Sequence, residues 1–141
     1  MYIESIKEYY ISYCEMVVSD DTRSIICILD PFATDSDLIP TVGMEVATLI
    51  AYFREDFPKI AKVTDTSRQT YKLVKNGTFG MDYKVRGEVV DERKYILKVF
   101  GFYISLECLF SSEYINPQKF PYKDGDWIEL IVDRFDAVIK G

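Results

Sequence analysis

Runs of β-branched and aromatic residues, each cut off by a cluster of Gly, Pro or Asp, constrain this chain more than any other feature. Such residues fit a pleated sheet, and such punctuation turns the chain. Residues 9–18 run into Ser19-Asp20-Asp21-Thr22, and the segment from Arg23 to Leu29 follows with Ile25, Ile26, Cys27 and Ile28, which predicts a hairpin. A loop rich in Pro and Asp over 30–42 leads at Gly43 into a strand-like run, 44–53. Residues 64–77 open with cap-type residues and stop at Asn76-Gly77, which predicts a short helix ended by a left-handed residue, with a strand as the alternative. Residues 83–90 and 95–110 flank Asp91-Glu92-Arg93-Lys94 as a second hairpin. Within 95–110 the even positions Ile96, Phe100, Phe102, Ile104, Leu106, Cys108 and Phe110 form an apolar face broken only by Lys98, which predicts one long strand curved near Gly101. The last strand starts at Trp127 after Lys123-Asp124-Gly125-Asp126 and runs raggedly to Ile139.

Six or seven strands with one short helix predict an all-β or mainly β fold in a single domain, 1–141. A small OB-like barrel, closed or partly open, would remove exposed edges. A β-sandwich and two very small tandem barrels are the alternatives. An internal echo aligns Gly43–Phe53 with Gly125–Phe135 without gaps, matching Gly, Val46 to Ile128, Leu49 to Ile131, Ile50 to Val132 and Phe to Phe. The hairpins echo as well, so 9–53 and 83–135 are a candidate repeat that would make the barrel pseudo-two-fold; shared β-propensity explains the same pattern without duplication. At 141 residues one core can bury roughly two thirds of the unfolded surface.

Histidine is absent, which removes Ser-His and Cys-His pairs and the commonest zinc-hydrolase ligands. Phosphate-loop and nucleophile-elbow patterns are missing too, so a non-enzymatic protein without cofactor or metal is expected. Cys14, Cys27 and Cys108 are odd in number, widely spaced and set in apolar runs, which reads as reduced core residues in a cytoplasmic protein. The acidic start resembles no secretory signal, and no apolar run is long enough to span a bilayer. Asp124 and Asp126, with Glu129 and Asp133 near in sequence, invite a cation or acid–base reading, but a polar turn explains them better. Asp35-Ser36-Asp37 begins like a calcium loop and then fails at Ile39-Pro40.

The net charge of −6 is confined to the first 70 residues, where 12 acids face 6 cations. An acidic surface repels phosphate and attracts basic proteins. The leading expectation is therefore an acidic binding protein for a basic macromolecular partner, by analogy of charge and size with inhibitors and immunity proteins that block a toxin or nuclease. Asp20, Asp21, Asp30, Asp35, Asp37 and Glu45 are its candidate residues. The alternative is an OB-like module that binds single-stranded nucleic acid or an oligosaccharide through the second half. Its candidate residues are Lys72, Lys75, Tyr83, Lys84, Arg86, Arg93 and Lys94, cations interleaved with aromatics. There Lys84, Arg86 and Glu88 share a strand face opposite Tyr83, Val85 and Val89, which separates the ring from the charges. A third alternative is a structural subunit buried in an oligomer through its abundant tyrosines.

Overall fold

The structure, a computed structural model, describes residues 1–9, 14–29, 39–77, 80–113 and 118–140. Asp30, Asp35 and Asp37, and the 114–117 part of the last loop, lie outside the described residues. The chain forms β1 (Tyr2–Tyr9), β2 (Cys14–Ser19), β3 (Ser24–Leu29), β4 (Val46–Tyr52), β5 (Ile60–Lys62), β6 (Lys72–Lys75), β7 (Tyr83–Asp91), β8 (Ile96–Val99), β9 (Phe102–Ser105), the short helix α1 (Glu107–Phe110), β10 (Trp127–Val132) and β11 (Arg134–Ile139).

These strands make one eleven-stranded sheet in the order β1-β2-β3-β11-β4-β9-β8-β7-β10-β5, with β6 also paired to β7. The mainly β class holds, but the sheet does not close into a barrel. Eleven strands stand where the sequence predicts six or seven, because 95–110 and 127–139 each divide in two, Lys72–Lys75 is a strand, and Tyr2–Tyr9 and Ile60–Lys62 form strands that the apolar runs do not mark. The 95–110 run folds back on itself at Phe100 and Gly101, where Phe100 takes a positive φ of 52°, and becomes the antiparallel pair β8–β9. The two-residue turn shifts the parity of the buried face, from Leu97 and Val99 before it to Phe102 and Ile104 after it. Residues 127–139 break at Asp133 into β10 and β11. The helix expected over 64–77 shrinks to a single 3-10 turn, Thr66–Arg68, capped by Asp65, whose Oδ1 accepts from Ser67 N at 3.0 Å. Lys72–Lys75 then pairs with β7 instead of continuing the helix, a case of sheet pairing overriding local propensity.

The β2–β3 hairpin forms with Val17 opposite Ile26 and Met16 opposite Cys27. Two register shifts curl β1 along β2, and the curl brings Tyr2 into a bridge with Glu45. Ile3 N donates to Met44 O at 2.9 Å and Val46 N to Met1 O at 2.9 Å. Inside, Leu49, Leu97, Phe102, Ile104, Ile128 and Phe135 are fully buried and form one core. Cys14 and Cys27 are buried free thiols within it, while Cys108 is half-buried. Burial raises the Cys27 thiol pKa, assisted by the nearby Asp136 carboxylate.

Candidate functional site

Register places side chains, since residues directly opposite one another across an antiparallel ladder share a face. On β7, Lys84, Arg86 and Glu88 point away from the core while Tyr83, Val85 and Val89 point into it. Glu88 pairs with Trp127 on β10 and with Lys98 on β8; Arg86 pairs with Glu129 on β10 and with Lys72 on β6; Lys84 pairs with Ile131 and with Val74. Tyr103 continues the first row opposite Lys98. One outer face therefore collects Lys72, Lys84, Arg86 and Lys98 against Glu88 and Glu129. It carries a net +2 on a chain of −6.

Glu129 organises the middle of this face. Arg86 grips its Oε2 through Nε at 2.7 Å and Nη2 at 2.6 Å, and Lys84 Nζ lies 3.1 Å from Oε1. Desolvation raises the Glu129 pKa, but hydrogen bonds from Lys84 and Arg86 outweigh it, leaving the carboxyl below its ordinary range. Arg86 Nη1 also donates to Arg68 O at 3.1 Å, which ties the 3-10 turn to the face. At the edge of the face stand three half-buried rings. Tyr71 lies 5.1 Å from Trp127 and 5.2 Å from Phe100, and the Arg23 guanidinium sits 3.6 Å above the Phe100 ring.

Beyond Lys84 the face opens into a groove of about 520 Å³ between the 54–61 segment and the Asn76 side of β7. Arg54, Lys59, Lys84, Glu55, Asp82, Glu129 and Asp133 supply its charge. Asp82 is fully buried and accepts from Asn76 Nδ2 at 2.8 Å. Asp133 accepts from Arg54 N at 2.8 Å through Oδ2. A second cavity of about 290 Å³ shares Arg54 and Asp133 with the first and adds Tyr52 and Arg134. Tyr52 is held protonated by burial, its pKa pushed up to about 12.

The sequence-derived residues distribute unevenly over this landscape. Lys72, Lys84 and Arg86 come together as described. Lys75 lies in register with Tyr83 rather than on the row. Arg93 and Lys94 stay at the hairpin tip, where their backbone N–H groups bond Asp91 at 3.0 and 3.1 Å. Tyr83 offers no stacking surface: it packs on Phe135 and its hydroxyl accepts from Ile26 N at 2.9 Å. Trp127 and Tyr71, on or beside the cation face, provide the rings in its place.

Of the candidate acids, Asp20, Asp21 and Glu45 share one end of the sheet, because Tyr2 pairs with both Ser19 and Glu45. Asp20 is engaged by the backbone there, accepting from Thr22 N, Arg23 N and Gly101 N at 2.9, 2.8 and 2.9 Å. Glu45 pairs with Lys140 at 3.3 Å, and Asp21 is exposed. Asp124 and Asp126 also serve backbone N–H groups, of Glu92 at 2.7 Å and Lys123 at 2.9 Å. Among the described residues no three His, Cys, Asp or Glu are grouped to hold a metal, and no helix is long and apolar enough to cross a membrane.

Arg54, Lys59, Asn76 and Asp82 escaped sequence reading as site residues, and Asp133 was noted only beside Asp124 and Asp126, because strand pairing alone brings 54–61, 76–82 and 129–133 together. Comparison of the chain with protein-family models, curated proteins and solved structures gives no match.

Proposed function

We propose that the protein is a non-enzymatic binding protein whose ligand is single-stranded nucleic acid, laid along the outer face of β6, β7, β8 and β10. The observation that carries this reading is the coincidence, on one face, of a local positive balance and half-buried rings beside it. Cations that follow a phosphate chain and aromatics that accept bases are the two components such binding needs, and they need no base-specific contact. Segregating positive charge on one face lets an acidic protein meet phosphate at short range. An OB-like relationship belongs to the same reading; what supports it is the curl of β1 that brings Tyr2 onto Glu45.

Trp127 is the only tryptophan, so its fluorescence reports on this face alone. Titration with a mixed-sequence single-stranded 12-mer in low salt quenches it. Quenching weakens as salt rises, and changing Lys72 and Lys98 together to Gln reduces the salt slope by about 2, one per phosphate contact. Tyr71→Ala weakens binding by about tenfold or more, in line with the loss of one stacked base. If the oligonucleotide leaves Trp127 fluorescence and its own anisotropy unchanged at high protein concentration, this reading is wrong.

The competing reading, an acidic first half that meets a basic protein, is supported by the charge distribution and the exposed Asp21. It predicts retention of one basic protein from lysate, lost when Asp30, Asp35 and Asp37 are changed to Asn.

A further inference from the structure

We propose that the groove beyond Lys84 is a base pocket that prefers an amino-bearing base, cytosine or adenine, over thymine or uracil. This rests on the nucleic-acid reading, since the groove continues the same face. Lys84, Glu129 and Ile131 belong both to the outer rows and to the groove wall, so a strand lying along β7 arrives there.

The groove differs from the face in charge. Its rim carries Lys59 and Lys84, and Lys59 has no ion pair among the described residues, so a phosphate is accommodated at the entrance. Its acids disfavour phosphate further in. Two of the four are already matched: Asp82 receives the Asn76 amide, and Glu129 receives Lys84 and Arg86; Glu55 is exposed to solvent.

Asp133 is different. Its Oδ2 is fixed by Arg54 N at 2.8 Å, and among the described residues Oδ1 accepts nothing. A carboxylate oxygen held in place beside a cavity accepts N4–H of cytosine or N6–H of adenine, and repels the O4 carbonyl that thymine presents at the same position. The volume of about 520 Å³ is ample for one base and leaves room for its sugar.

The substitution Asp133→Asn converts this into a test of direction. The Arg54 N–H still needs an acceptor, so the amide oxygen takes the Oδ2 place and the NH₂ group takes the Oδ1 place. The free position changes from acceptor to donor, and the preference inverts.

The experiment measures binding of (dC)12 and (dT)12 at pH 7.5 by Trp127 quenching and by anisotropy of the labelled oligonucleotide. The parent protein binds (dC)12 about tenfold more tightly, within the range expected for one discriminating base contact. Asp133→Asn favours (dT)12, and Lys59→Gln weakens both oligonucleotides alike. Equal binding of the two by the parent overturns the pocket and leaves the outer-face reading standing, without recourse to a variant. If neither oligonucleotide binds, both proposals are overturned.

Discussion

Two carboxylates in this protein, Asp20 in the β2–β3 turn and Glu129 on the outer face, are alike in electrostatics and unlike in what they hold. Each is pushed up by desolvation and pulled below its ordinary value by hydrogen bonds. For Asp20 the donors are backbone N–H groups of Thr22, Arg23 and Gly101; for Glu129 they are the side chains of Lys84 and Arg86. A carboxylate that receives amides fixes the path of the chain, and here joins two turns 81 residues apart. A carboxylate that receives cations leaves the chain alone and sets the charge that a surface presents. Asp20 is therefore a structural joint, while Glu129 sets the charge of the outer face.

The largest expected effect comes from glycines beside each region. A Cβ on Gly87 would lie 2.1 Å from Lys98 O, a backbone atom held in the β7–β8 ladder. Gly87→Ala should cost more than about 4 kcal/mol or prevent folding, because the strands themselves must part. A Cβ on Gly101 meets the Asp20 side chain instead, at 2.6 Å from its Cβ. Side-chain rotation moves the Asp20 carboxylate but not its Cβ, so the β2–β3 turn itself must shift, and Gly101→Ala should cost the lost joint plus that shift, roughly 2–3 kcal/mol. Urea denaturation of the two variants orders them; equal losses would mean that Asp20 is as immovable as a strand.

Next in size is the contrast between the carboxylates themselves. Asp20→Ala orphans three backbone donors and should cost about 2–3 kcal/mol, a turn cap plus a buried N–H. Glu129→Gln keeps an acceptor for Arg86, which also retains Arg68 O, and should cost about 1–2 kcal/mol. Salt separates them further: 1 M NaCl screens the Glu129 ion pairs and leaves the amide bonds of Asp20 nearly unchanged. In pH the signs agree. Both pKa values are lower folded than unfolded, so each group stabilises above its ordinary value, 3.8 for Asp20 and 4.5 for Glu129. That stability is lost as pH falls from there through the folded value. Acid titration of the parent against Asp20→Asn and Glu129→Gln checks this; a variant whose stability falls as steeply as the parent's would remove its residue from the account.

The strands were legible in the sequence wherever apolar runs ended in turn residues: both hairpins, 44–53 and the start at Trp127 emerge from such punctuation. What misled was continuity. The apolar pattern through 95–110 carried no visible break, because Phe100 adopts a positive φ that its residue type disfavours. The neighbouring Gly101 was the only cue. Lys72–Lys75 was ambiguous because Asp65 and Asn76-Gly77 are helix punctuation, and only pairing with β7 decides its state. On the candidate site, period-two alternation correctly set Lys84 and Arg86 opposite Tyr83. Tyr71 stood out beside Lys72 as an aromatic next to a cation, but alternation along one strand cannot say which residues of other strands complete a face, so Trp127 and the groove around Asp133 were beyond it.

The smallest effect belongs to Glu45, which sharpens the comparison from the other side. It shares the end of the sheet with Asp20, and its backbone carbonyl accepts from Lys140 N at 3.0 Å while its carboxylate meets Lys140 Nζ at 3.3 Å. The two side chains are 63% and 62% exposed, so water competes for both charges. Glu45→Gln should therefore change stability by less than about 0.5 kcal/mol, the range of exposed pairs. The chain path there is held by the backbone bond, which the substitution leaves intact. A loss approaching that of Asp20→Ala would show that this end of the sheet depends on side-chain charge after all, and would break the distinction between a carboxylate that binds amides and one that binds cations.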